Sequence, residues 1–186
     1  MDGRLRKFSA VLLCGLLAGC AGEGAAPSWA DLPSDYELTC VSTASPLSLR
    51  ISTDSPEDLE GQVVFQEDGC SITVGQVSSS GEGEYTIRFQ AAGGSDDSGR
   101  RSLISAAVPG QGEYSGVIRS ADLSVEPADL YTAYYSYQTS EFTETGNEFE
   151  ITVVQMQDAP PGGAPQDISL TIPELYRIDA VPGDVK

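Results

Sequence analysis

From Tyr36 onward the chain alternates apolar and polar positions with a period of two, broken at short intervals by glycine, proline and acidic clusters. That is the pattern of half-buried antiparallel strands, where successive side chains face opposite sides of a sheet. Tyr36, Leu38 and Cys40 alternate with polar or charged neighbours, and after Pro46 so do Leu47, Leu49 and Ile51. Residues 54–58 then interrupt the alternation, and Pro56 with the acids around it suits a single helical turn. Residues 63–66 and 70–77 flank Glu67-Asp68-Gly69. A glycine at that point supplies the positive φ that a tight hairpin requires.

The turn at 78–83 leads into Tyr85, Ile87 and Phe89, the clearest one-face alternation in the chain, and 92–101 reads as a polar loop. A strand is expected over 103–108, with Pro109-Gly110 at the centre of a type II turn. Another is expected over 114–118, continuing through 120–125 after a bulge, and 126–129 turns the chain again. Residues 131–142 are aromatic and polar by turns, and Gly146-Asn147 reverses them into Phe149, Ile151 and Val153. A Pro/Gly-rich loop at 159–165 precedes Ile168, Leu170 and Ile172. Pro173 ends that strand, and 175–178 closes the sheet. About nine short strands at this spacing predict an all-β fold, an antiparallel β-sandwich, with a closed β-barrel as the alternative.

The first 35 residues follow a different rule. Arg4, Arg6 and Lys7 precede an apolar run over 8–17, too short to span a bilayer comfortably. The run ends at Leu17-Ala18-Gly19-Cys20, which resembles the lipobox of bacterial lipoproteins. The resemblance implies that residues 1–19 are a signal peptide and that Cys20 becomes the lipid-modified first residue of the mature chain. It implies a cell-envelope location with the membrane as partner, held by more than one acyl chain as stable attachment requires. Ala21 follows the cysteine, which favours the outer membrane if the source has two. An ordinary secretory signal with Cys20 nearby is the alternative. Residues 20–35, small and polar with Pro27 and Pro33, read as a tether, and 36–186 as a single domain.

Charge narrows the range of partners. The chain has 28 acidic and 10 basic residues and a net charge of −18. The leader contributes +2 (Arg4, Arg6 and Lys7 against Asp2), so the remainder carries −20. Such a surface repels nucleic-acid phosphates and anionic headgroups, so no nucleic acid is expected as partner. It attracts cations or a basic partner, and it also simply keeps an exported domain soluble.

Of the four cysteines, Cys14 leaves with the leader and Cys20 is taken by lipid. Cys40 and Cys70 remain, both in expected strands, and an oxidising compartment predicts that they pair. Closing that loop would stabilise the fold by roughly 3–4 kcal/mol on the chain-entropy account. Two buried thiols are the alternative.

The chain contains no histidine, which removes imidazole-dependent triads and zinc sites. No Gly-x-Ser-x-Gly elbow and no phosphate-cradling glycine loop occur. The expectation is therefore a protein that is not an enzyme and needs no cofactor. A carboxylate-dependent glycan hydrolase of the cell envelope is the alternative, since paired acids cleave glycosides. Asp54, Glu57, Asp58 and Glu60, or Asp96-Asp97, offer oxygen ligands for calcium, but no Asp-x-Asp-x-Asp-Gly loop is present, and no metal is assigned. Tyr131, Tyr134, Tyr135 and Tyr137 form the candidate binding set for a protein or glycan partner. Regular alternation puts Tyr135 and Tyr137 on one face and Tyr134 on the other. Plain sheet packing explains the same tyrosines. The resulting expectation is a non-catalytic, membrane-anchored lipoprotein, a binding or structural module that exposes loops to its partner.

Overall fold

The computed structural model describes residues 36–43, 45–80, 83–109, 118–138, 147–156 and 167–183. Among them are fourteen strands and one 3-10 turn. The strands are β1 (Tyr36–Ser42), β2 (Leu47–Ser52), β3 (Val63–Glu67), β4 (Cys70–Ser79) and β5 (Glu84–Ala92). They continue with β6 (Gly94–Ser95), β7 (Arg101–Ser105), β8 (Ala107–Pro109), β9 (Ile118–Ser120) and β10 (Ser124–Glu126). The last four are β11 (Tyr131–Gln138), β12 (Asn147–Gln155), β13 (Asp167–Ile172) and β14 (Tyr176–Pro182). The count exceeds the nine expected because β6, β8, β9 and β10 have only two or three residues each, too few to carry a period. The 3-10 turn, Pro56–Leu59, falls where the proline and acids predicted a helical turn.

All pairings are antiparallel, and the architecture is an all-β sandwich with no closed barrel among the described residues. A large sheet has the order β11-β12-β5-β4-β3 and a small one β10-β13-β2. The inner face of the large sheet is Tyr131 and Tyr135 on β11, Phe149, Ile151 and Val153 on β12, and Tyr85, Ile87 and Phe89 on β5. Ile72, Val74 and Val77 on β4 and Phe65 on β3 complete it. Phe89 and Phe149 stack with ring centroids 4.8 Å apart, and Tyr135 meets Phe149 edge-on at 6.3 Å. The small sheet contributes Leu47, Leu49 and Ile51 against Ile172, Leu170 and Ile168, with Val125 beside Leu170. Its other face is polar and carries the exposed Arg50–Asp167 ion pair.

A third sheet, β1-β14-β7-β6, continues the small one. The β1–β14 ladder runs from Tyr36↔Pro182 to Ser42↔Tyr176, breaks, and resumes as β2–β13 from Leu47↔Ile172 to Ser52↔Asp167. Pro46 and Pro173 sit in the break, where a residue without an N–H cannot sustain a ladder. Thr43 bridges the gap. Its N–H donates to the Leu175 carbonyl at 2.7 Å, and its Oγ1 accepts the Leu175 N–H at 3.0 Å. Ser105 on β7 ties this sheet to the large one through a buried 2.7 Å hydrogen bond to Asn147 on β12.

The β3–β4 hairpin forms as expected, with Asp68 at φ 48° and Gly69 at φ 78°. Two positive φ values identify the primed turn that matches the twist of paired strands.

The expected Cys40–Cys70 disulfide does not form: Cys40 is exposed on β1, Cys70 is buried at the start of β4, and they are not at bonding distance. The two cysteines sit on strands of different sheets, Cys40 opposite Ile178 on β14 and Cys70 opposite Glu67 on β3. Burial raises the Cys70 pKa, as expected of a neutral core thiol.

Candidate functional site

The outward face of the large sheet is built from side chains that alternate with the core residues. Its first cross-strand row is Tyr137, Glu150, Arg88 and Gln76, and its second is Tyr134, Thr152, Thr86 and Ser78. Tyr134 and Tyr137 are 50% and 48% exposed. Their companionship depends on a bulge between Tyr135 and Tyr137, where the register slips by one residue. A bulge sets two residues against one, so the period of two is reset beyond it.

The four candidate tyrosines are therefore split differently from the alternation expected. Tyr135 and Tyr137 do not share a face. Tyr131 and Tyr135 turn into the core, and Tyr134 and Tyr137 stand together outside. Burial raises the pKa of Tyr131, with nearby Tyr85 adding to it. Burial raises Tyr135 much further, and Tyr176 and Asp122 push the same way. These two are packing residues. Sheet packing thus accounts for one pair and leaves the other exposed to solvent.

Around the exposed pair, the polar groups are held in place. Glu150 accepts a hydrogen bond from Ser136 Oγ at 2.9 Å through Oε1 and pairs with Arg88 at 3.3 Å through Oε2. The Thr86 and Thr152 hydroxyls meet at 3.1 Å, and Thr152 is only 3% exposed although it faces outward. Two amphipathic rings beside a fixed row of hydroxyl and charged groups can stack on an apolar face while hydrogen-bonding its polar rim.

The other candidates lie apart from this face. Cys20 is outside the described residues. Asp54, Glu57, Asp58 and Glu60 surround the 3-10 turn as exposed groups, and Glu60 Oε1 accepts the Val77 N–H at 2.9 Å. In the 92–101 loop, Asp96 accepts hydrogen bonds from the Ser98 hydroxyl and N–H and pairs with Arg100 at 3.1 Å. The Ser98 hydroxyl first, with Arg100 assisting, lowers the Asp96 pKa. Among the described residues no group of three or more cysteine or acidic side chains is placed to hold a metal ion.

Sequence reasoning missed one polar cluster. Asp179, 7% exposed, accepts the Ser102 hydroxyl and pairs with Arg177 at 3.1 Å, and Arg177 reaches Asp68 in the β3–β4 turn at 3.1 Å. The cluster fastens that turn to β14. The spacing of Arg177 and Asp179, same face of one strand, was the available signal. Compared with known proteins, the chain matches no family model, no curated protein and no solved structure.

Proposed function

We propose that this chain is a non-catalytic envelope lipoprotein: cleaved before Cys20, held in the membrane by lipid on that cysteine, and presenting its sandwich to a protein or glycan partner. The Leu17-Ala18-Gly19-Cys20 motif supports the anchoring. The observation that carries the binding assignment is the half-exposed pair Tyr134 and Tyr137 on one sheet face, beside the Thr86–Thr152 and Arg88–Glu150 contacts. Tyrosine is among the residues that dominate binding energy at interfaces. The −20 carried by the chain after residue 19 directs the choice toward neutral or basic surfaces.

The test uses the chain as its host processes it. Partners retained from solubilised envelopes, and neutral glycans on an array, are compared between the natural chain and Tyr134→Ala/Tyr137→Ala. Both side chains are half exposed, so circular dichroism and melting should change little. Retention should fall on the order of tenfold or more. Retention that survives both substitutions rejects this face. Anchoring is tested separately by Cys20→Ser, which should leave an unprocessed precursor or release the chain from the membrane fraction.

A further inference from the structure

The edges of the sandwich are unequal. The small sheet's two edge strands, β2 and β10, lie against β3 and β11 of the large sheet, so those edges shelter one another across short connections. In the third sheet, β6 is two residues long. At the opposite edge is β1, seven residues in unbroken register, whose only strand partner among the described residues is β14.

Natural edge strands are normally blunted by proline, lysine, bulges or brevity, because an open row of backbone donors and acceptors templates further pairing. β1, Tyr36-Glu37-Leu38-Thr39-Cys40-Val41-Ser42, has none of these. It bears no charge from Leu38 to Ser42. Leu38 is 51% exposed and Val41 48%, on opposite faces, with Val181 exposed on the Val41 face. A strand laid alongside covers apolar surface on both faces at once.

We propose that β1 pairs antiparallel with β1 of a second copy of this chain, about a two-fold axis near Thr39, joining the two third sheets into one. The position of the chain outside the structure favours a second copy over another occupant. The segment from Cys20 ends at Tyr36, the first residue of β1. Antiparallel pairing sets the two Tyr36 residues roughly 20 Å apart, at about 3.4 Å per strand residue. Sixteen residues on each side, at up to roughly 3.3–3.6 Å each, bring both anchors to one bilayer. This orientation argument rests on the proposed lipid at Cys20, but the pairing does not. Like charge opposes association and acts across little more than a Debye length of about 8 Å at physiological salt, so dimerisation strengthens as salt is added.

Sedimentation of the full chain, in the processed form its host makes, should show a dimer whose population grows with protein and salt concentration. Leu38→Lys/Val41→Lys should sediment as a monomer with an unchanged circular dichroism spectrum. A short bis-maleimide should cross-link the dimer through Cys40 and not in Cys40→Ser. If the lysine variant misfolds, hydrogen exchange of the natural chain decides, because β1 amides gain protection with protein concentration only when a second copy covers them. A monomer at every concentration overturns the proposal, as does a dimer that persists with both lysines. Concentration-independent protection of β1 also overturns it, by assigning that edge to a segment of the same chain. Failure of the Cys20→Ser fractionation would reject the anchor and leave these readouts intact.

Discussion

Cys70, Tyr85, Tyr131 and Tyr135 share one physical condition: each is an acid that burial keeps neutral. Desolvation is the largest cause of the raised pKa in all four, and Asp54 adds to it at Tyr85. Unfolding returns them to ordinary values, about 8.5 for the thiol and about 10 for the phenols. Above those values the unfolded chain gives up protons that the native chain keeps, so stability is complete below about pH 8 and falls as the pH rises further. Between about pH 6 and pH 8, where neither the carboxylates nor these four groups titrate, melting temperature should be flat; it should drop steeply near pH 10, and Tyr135→Phe should flatten the drop. A melting temperature unchanged through the tyrosine range would refute this account. At this scale the sequence was informative about chemistry and less so about direction. Four tyrosines within seven residues mark a notable strand, but only the bulge at Ser136 decides which of them face water, and nothing in Tyr134-Tyr135-Ser136-Tyr137 announces it. The cysteines fail for a related reason: two residues in strands pair only if the sheets turn them toward each other.

At the scale of elements, a backbone-to-backbone constraint arises where β6 meets the β3–β4 turn through their glycines. A Cβ on Gly94 would lie 2.9 Å from the Gly69 carbonyl oxygen and 3.0 Å from its carbon. Both neighbours are backbone, and Gly69 is itself fixed in the hairpin turn at φ 78°. Gly94→Ala should therefore destabilise by about 1–3 kcal/mol, the cost of an overpacked contact. Gly75→Ala is the control: its Cβ would stand 3.6 Å from the Arg88 carbonyl, an ordinary contact, so its effect should stay within about 0.5 kcal/mol. Urea melts of both variants decide, and equal effects would count against the clash. The turn at Asp68-Gly69 and the stop at Pro173 were legible because each is a local backbone requirement met by one residue type. The alternation of β2, β5 and β13 was legible because one face of each is buried. The folding of β1–β14 into β2–β13 was not, because it joins the first strands of the domain to the last. No local pattern encodes a pairing between Tyr36 and Pro182.

For the molecule as a whole, charge sets the dominant long-range force. Acids outnumber bases by 28 to 10, and the ion pairs among the described residues are mainly surface contacts, each worth on the order of 1 kcal/mol or less. Self-repulsion should therefore weaken the compact state at low ionic strength, and salt should relieve it. Whether a cation acts by screening or by occupying a built site is separable. The carboxylates that looked most available are already engaged, Asp96 by Ser98 and Arg100, and Glu60 by the Val77 N–H. Sodium chloride and calcium chloride at matched ionic strength should then raise the melting temperature similarly, and a chelator should change nothing in sodium chloride alone. A built site would respond at calcium concentrations near its dissociation constant, through mass action on the native state. A large shift in micromolar calcium, reversed by chelator, would replace screening with coordination and make Asp54, Glu57, Asp58 and Asp97 the first ligands to test by substitution with asparagine or glutamine.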